Sequence, residues 1–478
     1  MAGSIEKMKR VVNIVFCLCF LFVSNGLSGE KPNIVFILAD DLGIGDLGCY
    51  QSDSKVPTPN LDELASEGMR FTDAYCPISV CSPTRYALMT GRYPWRSWKK
   101  RGVLANWDKP MIEEGVTTLP GVLQEAGYHT GGYGKWHLGA DYVTTDGKPP
   151  KGKGKFKSPG TGANLDLSAP ISGGPLDRGF DEWFGFICAS EQLIYDGDRL
   201  AAVVGHDLYE PPQAKGIGEY PVIPLEESLP HDTEKAIDFL NRQKESDTPF
   251  FLYFAPYVPH IPLAVEESFR GKTKAGDYGD YVHELDHYIG KLLSALEENG
   301  QAENTIVIFA SDNGSQFPES GEAKHRPNAP YAGTKWTIRE GGVRTPLLIR
   351  WPGVVEAGAM SDHLIGLNDM LATVASLSEL DLPEDEIRDS LNFLPVLKGE
   401  QETPVRESIA LCSSGGLHAI RNGKWKFIEG PGDGRSGAKG DGPQLYDLET
   451  DPKERNNIAG DHPDTVNRLR DELNSLLK

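Results

Sequence analysis

Three segments carry unbroken apolar runs of strand length: 33–39 (NIVFILA), 250–255 (FFLYFA) and 305–310 (TIVIFA). Such short runs, bounded by turn formers, suit strands buried on both faces of a helix-covered parallel sheet. Between them the apolar positions become spaced, which predicts helices starting near Thr84, over 119–126 and over 281–298. After about Gly399 the texture changes to short strand-like pieces at 408–411, 418–420 and 424–428, a polar loop, and a last helix over 464–477. This order predicts an α/β fold: a mostly parallel sheet flanked by helices, followed by a smaller C-terminal antiparallel sheet plus helix. No internal repeat is visible.

The N-terminus follows a different rule. Lys7, Lys9 and Arg10 precede a mostly apolar stretch over 11–23, and the small residues Ser24, Gly26, Ser28 and Gly29 follow. That pattern predicts a secretory signal peptide over 1–29, too short for a convincing span, with a retained membrane anchor as the alternative. The rest then divides into an α/β domain at 30–399 and a C-terminal subdomain at 400–478. A secreted or periplasmic location is expected, without stable membrane insertion. Without the leader, Cys49, Cys76, Cys81, Cys188 and Cys412 remain, and sequence leaves both disulfides and buried thiols open.

Two of the apolar runs end in oxygen donors. The first runs into Asp40 and Asp41, and the third into Ser311, Asp312 and Asn313. Strand carboxyl ends are where open α/β sheets place ligands, and carboxylate and amide oxygens suit calcium or magnesium. Cationic groups lie elsewhere: Lys135 and His137 in GKWHLG, His260 in the proline-rich turn after residue 255, and Lys335 ahead of the block EGGVRTP. If the segment carrying Lys135 and His137 is extended, both point the same way. Alone, each could be a satisfied structural residue.

The sharpest motif is Cys81-Ser82-Pro83-Thr84-Arg85, followed by Leu88 and Thr90-Gly91-Arg92. It resembles the signature of the formylglycine-dependent sulfatases of the alkaline phosphatase superfamily. The resemblance extends from Lys31 to about Ala459 and includes Thr58-Pro59-Asn60-Leu61-Asp62 and the late segment LYDLETDP. It implies that a formylglycine-generating maturation enzyme converts Cys81 to an aldehyde. One hydroxyl of the hydrate then attacks sulfur, and the other expels sulfate.

It further implies a Ca2+ site, with Mg2+ possible, made by Asp40, Asp41, Cys81, Asp312 and Asn313. Arg85 and His137 would orient and deprotonate the diol, while Lys135, His260 and Lys335 clamp sulfate and assist the leaving oxygen. Thr84 departs from the family's frequent serine or alanine. The segment after His137 diverges, so a further sulfate-contacting hydroxyl is not assigned. The implied substrate is a sulfated carbohydrate.

Composition narrows the partners. With 48 Lys and Arg against 69 Asp and Glu, the formal net charge is −21, which argues against nucleic acid. An acidic chain that acts on an anion must gather its positive charge locally. Two segments bear on the substrate: the loop 147–160, with Lys148, Lys151, Lys153, Lys155 and Lys157, and the run Trp95 to Arg101, whose indoles suit either sugar stacking or core packing. Two alternatives remain: a phosphonate or phosphate monoester hydrolase of the same superfamily, and a non-catalytic polyanion-binding protein. The former would use Ser or Thr and two metals, and the latter would not need both histidines.

Overall fold

The three apolar runs pair side by side in a computed structural model that describes residues 31–153, 160–188, 192–208, 214–435 and 442–478. The leader predicted over 1–29 lies outside the described residues, as do Lys155 and Lys157.

In chain order the strands are β1 (Asn33–Ala39), β2 (Met69–Phe71), β3 (Ala74–Tyr75), β4 (His129–Lys135), β5 (Glu182–Phe186) and β6 (Leu193–Asp196). They continue with β7 (Arg199–Gly205), β8 (Val222–Pro224), β9 (Phe250–Ala255), β10 (Thr305–Ser311), β11 (Leu347–Arg350), β12 (Ala359–Ser361) and β13 (Ile365–Gly366). Eleven of them form one sheet among the described residues, in the order β12-β2-β11-β10-β1-β9-β4-β5-β6-β7-β8, and β13 pairs with β3. The centre, β10-β1-β9-β4-β5, is parallel; antiparallel pairs appear outward at β10/β11 and β5/β6.

Two-residue periodicity divides the core. Ile34, Phe36 and Leu38 share one face with Phe251, Tyr253, Ile306 and Ile308, while Val35 and Ile37 face the other way with Leu252, Phe254, Val307 and Phe309. Both faces are buried, which explains the unbroken apolar runs. In β1/β10, Ala39 lies opposite Ser311, so the residues that follow both strands emerge together.

The C-terminal strands β14 (Ser408–Cys412), β15 (His418–Asn422), β16 (Trp425–Ile428) and β17 (Gln444–Asp447) make a four-stranded antiparallel sheet. The helix Pro463–Leu477 buries Val466, Leu469 and Leu473. All five described cysteines are free thiols.

The helix Ser228–Gln243 was not apparent in the pattern, because its apolar residues are widely spaced among polar ones. It carries an anomaly. Asp232 is fully buried, neither carboxylate oxygen has a hydrogen-bond partner, and burial pushes its pKa well above the ordinary value. The folded protein therefore holds this proton to higher pH than the unfolded chain does. Folding thus loses stability as pH rises above the ordinary carboxyl range. Asp232→Asn should raise the melting temperature more at pH 8 than at pH 4, with a gain of about 1–3 kcal/mol at the higher pH. Equal shifts at both pH values would refute this account; differential scanning calorimetry reads the difference.

Candidate active site

The site forms at the carboxyl ends of β1 and β10, where their matched register brings Asp40 and Asp41 to Asp312 and Asn313. One carboxylate oxygen from each of Asp40, Asp41 and Asp312 falls in a cluster whose members lie within 4.8 Å of one another. Asp41 adopts a left-handed backbone (φ 67°), and its N–H donates to Asp312 Oδ1 at 3.2 Å. Asn313 Nδ2 donates to Asp41 Oδ1 at 2.7 Å. The loop is drawn close to the turn that follows Lys335: a Cβ on Gly314 would lie 1.9 Å from the Gly341 carbonyl oxygen, so only glycine fits.

Asp40 Oδ1 and Asn313 Oδ1 are buried without a hydrogen-bond partner. Such oxygens are costly in a dry interior and fit a hard divalent cation. The donor set thus passes the test that a calcium or magnesium site must meet.

Cys81 is the first residue of the helix Cys81–Thr90, which is buried throughout and ends on Gly91 in the left-handed region (φ 66°). Pro83 is the third helical residue, where its missing N–H is one of the four that no helix can satisfy. The helix begins three residues before the predicted start. Cys81 Sγ clusters with Asp40 and His260 within 4.8 Å. Burial pushes the thiol well above its ordinary value, so the unmodified side chain is protonated at neutral pH.

Arg85, one turn on, donates from Nε to Asp312 Oδ2 at 3.1 Å and from Nη1 to the Lys135 carbonyl at 2.7 Å. It ties the helix to both the oxygen cluster and the end of β4. Lys135 Nζ pairs with Asp40 Oδ2. Lys335 Nζ lies 2.7 Å from both carboxylate oxygens of Asp41. Burial alone would raise Asp40, yet Lys135, then His260, Arg85 and Lys335, hold it well below the usual carboxylate range. Burial would lower Lys335, and Asp41 holds it above its ordinary value instead.

The condition under which Lys135 and His137 would point the same way, one extended segment, is not met. β4 ends at Lys135, and His137 has φ 55°, so strand alternation does not carry through. The turn nonetheless leaves His137 buried, with Nε2 at 3.4 Å from the Leu104 carbonyl and Nδ1 unpartnered. Burial, then Lys135 and Arg85, depress its pKa well below the ordinary imidazole value. His260 lies 3.9 Å from Asp41 Oδ2; burial, then Lys135 and Lys335, depress it likewise. All ten predicted site residues therefore gather at one place.

Tyr253 was not singled out from the sequence. It is buried beside Arg85 on β9, and burial, partly offset by Arg85, pushes its hydroxyl to about 12. The signal was available: alternation along β9 puts Tyr253 on the face of Phe251 and Ala255, a polar tip inside an apolar layer. The indoles also divide. Trp95 stacks on Tyr93 at 4.5 Å in the core, whereas Trp98 lines a cavity of about 550 Å³ with Lys109, Glu113, Asp141 and Arg178.

Comparison with known proteins agrees with this geometry. The Sulfatase family model matches residues 32–380, and the model for the N-sulphoglucosamine sulphohydrolase C-terminal region matches 334–478. The chain is 33% identical to an N-acetylgalactosamine-6-O-sulfatase of Bacteroides thetaiotaomicron, over 95% of this chain and 94% of that one. It is 34% identical to human arylsulfatase A, over 94% and 89%. Among solved structures, one from a study of glycosaminoglycan metabolism by Bacteroides thetaiotaomicron superposes with a TM-score of 0.80 at 31% identity, covering 94% of this chain and 99% of that one. Shared over nearly their whole lengths, fold and sequence alike make this chain a member of the sulfatase family, a sulfuric ester hydrolase.

Proposed function

We propose that the chain is an exported enzyme that removes sulfate from a carbohydrate, using formylglycine made from Cys81 by a maturation enzyme, with Asp40, Asp41, Asp312 and Asn313 holding calcium or magnesium. The observation that carries this reading is the placement of Cys81 beside Asp40 and His260, next to two buried oxygens that lack partners. A hard cation held there would supply charge neutralisation and polarise the sulfate oxygens. Formylglycine would supply paired hydroxyls, one to displace the alcohol from sulfur and one to release sulfate.

The chain's own groups divide the remaining work. Arg85, anchored by Asp312 and the Lys135 carbonyl, orients the side chain at position 81. Lys135 and Lys335 present ammonium groups to the sulfate oxygens. His137, kept neutral by burial and its cationic neighbours, is ready to take the hydroxyl proton when sulfate leaves. His260 is neutral for the same reasons, and an anionic sulfate between Lys135 and Lys335 offsets their field, which lets His260 carry a proton to the departing oxygen.

Relatives named as N-acetylgalactosamine-6-sulfatases make 6-sulfated N-acetylgalactosamine the first substrate to test. The test is sulfate release by fully matured enzyme from a panel of defined sulfated mono- and oligosaccharides. Release from none of them, with formylglycine present, would reject the carbohydrate assignment.

The two histidines should be separable. General acid help matters most for a poor leaving group and is worth on the order of 10²–10⁴ in rate. His260→Ala should therefore slow hydrolysis of a sugar sulfate far more than that of 4-nitrophenyl sulfate. His137→Ala should release the alcohol once and then stall with sulfur still on the protein, visible by mass spectrometry. Equal losses on both substrates for His260→Ala would undo its part, and steady turnover by His137→Ala would undo the other.

A further inference from the structure

Trp336 occupies a backbone position that a tryptophan should avoid. Its φ is 76°, in the left-handed region favoured by glycine, and it directly follows Lys335. Such a conformation is strained for a bulky side chain and persists only where the surroundings over-determine it. Here they do. The Trp336 N–H donates to the Ser79 carbonyl, two residues before Cys81, at 2.8 Å, and its carbonyl accepts from the Ser414 N–H of the C-terminal subdomain at 3.0 Å. The half-buried indole is thereby held beside the catalytic lysine, whose Nζ lies 5.6 Å from the ring centroid.

The C-terminal subdomain supplies the other half. Arg435 places its guanidinium carbon 4.1 Å from the centroid of the Trp336 ring. The residues just before it are close-packed: a Cβ on Gly415 would lie 2.4 Å from the Gly434 carbonyl oxygen, and Asp433 Oδ1 accepts from the Arg435 N–H at 3.0 Å. The same 413–416 turn accepts from the Gly102 N–H through the Ser414 carbonyl, which brings exposed Arg101 alongside Gly416. Neither Arg101 nor Arg435 takes part in an ion pair among the described residues, in a chain of net charge −21. Two exposed guanidiniums with no carboxylate partner among the described residues are open to an anion from outside.

We propose that Arg435, held over Trp336 and assisted by Arg101, binds a second anionic substituent of the substrate, a sulfate or carboxylate next to the sulfate being cleaved. Trp336 is the positioning residue: its indole face orients the guanidinium by cation–π attraction, leaving the N–H edge for a two-point contact with an oxyanion. This deepens the sulfatase reading and rests on it.

The test uses matured, calcium-loaded enzyme with three probes: N-acetylgalactosamine 6-sulfate, its 4,6-disulfate, and the 6-sulfated disaccharide that carries an adjacent uronate. Each dianionic probe is expressed as a ratio of kcat/KM to the monosulfate. In Arg435→Ala at least one ratio should fall about tenfold, the loss expected for one charge-assisted contact. A fall with the disulfate alone identifies a second sulfate, and a fall with the uronate alone identifies a carboxylate. Trp336→Gly, which suits the left-handed backbone but removes the indole face, should lower the same ratio. Ratios unchanged in both variants would overturn the subsite. Turnover of the monosulfate by the wild type reports separately on the underlying sulfatase reading.

Discussion

Cys81→Ala should abolish turnover while leaving the protein folded. Cys81 is 2% exposed, and loss of a single buried sulfur costs only about 1 kcal/mol, so melting should fall by a few degrees at most. Activity should vanish because alanine cannot form the hydrate, and the neighbouring hydroxyls of Ser82 and Thr84 are engaged by the Leu104 N–H and the Ile78 carbonyl. The unmodified thiol would fare little better. Burial drives it far above its ordinary value, and sulfur once bonded to the sulfo group has no second oxygen to expel it. Cys81→Ser should fail for the same lack of a second hydroxyl. Peptide mass spectrometry of active wild-type protein should find the aldehyde at position 81; a quantitative thiol there, in protein that turns over, would dismiss the proposed chemistry.

The parts of the fold legible beforehand are those in which one physical demand dominates the residue choice. β1, β9 and β10 are buried on both faces, so every position must be apolar, and the run itself marks the strand. β4 has the same buried setting but reads HTGGYGK, because its glycines admit close neighbours. A Cβ on Gly132 would strike Trp183, and one on Gly134 would lie 2.2 Å from the Ala255 carbonyl oxygen. No hydrophobic pattern survives that constraint. The helix Gly276–Glu298 begins five residues before its predicted start because Gly276 and Gly279 resemble a loop.

The site was legible for a different reason. Each donor sits at a strand end or helix start, where the local sequence already shows both the element and the reactive residue. Tyr253 was marked only by strand alternation, and Trp336 and Arg435 had no such marker. Trp336 acquires its setting from a left-handed backbone held by residues 257 positions upstream and 78 downstream in the chain, at Ser79 and Ser414, and spacing says nothing about such contacts.

Asp312→Ala should lose the metal and the activity together, and the first loss can be measured without the second. Asp312 gives Oδ1 to the Asp41 N–H and Oδ2 to Arg85, and it shares the oxygen cluster with Asp40 and Asp41. Removing it withdraws one donor from the proposed cation site and leaves the Arg85 guanidinium buried without its nearest carboxylate; breaking such a pair costs about 3–5 kcal/mol. The variant should therefore melt lower even in chelator. The decisive quantity is the response to calcium. A ligand that binds only the folded state stabilises it by about 2.7 kcal/mol at a hundredfold excess over Kd, so chelated wild-type protein should melt several degrees higher when calcium is restored. In Asp312→Ala that increment should disappear, and elemental analysis should find the wild type holding one calcium or magnesium and the variant none. An undiminished calcium response in the variant, or stoichiometric zinc in a wild type whose activity survives calcium and magnesium removal, would dissolve the assignment of these oxygens to a hard cation.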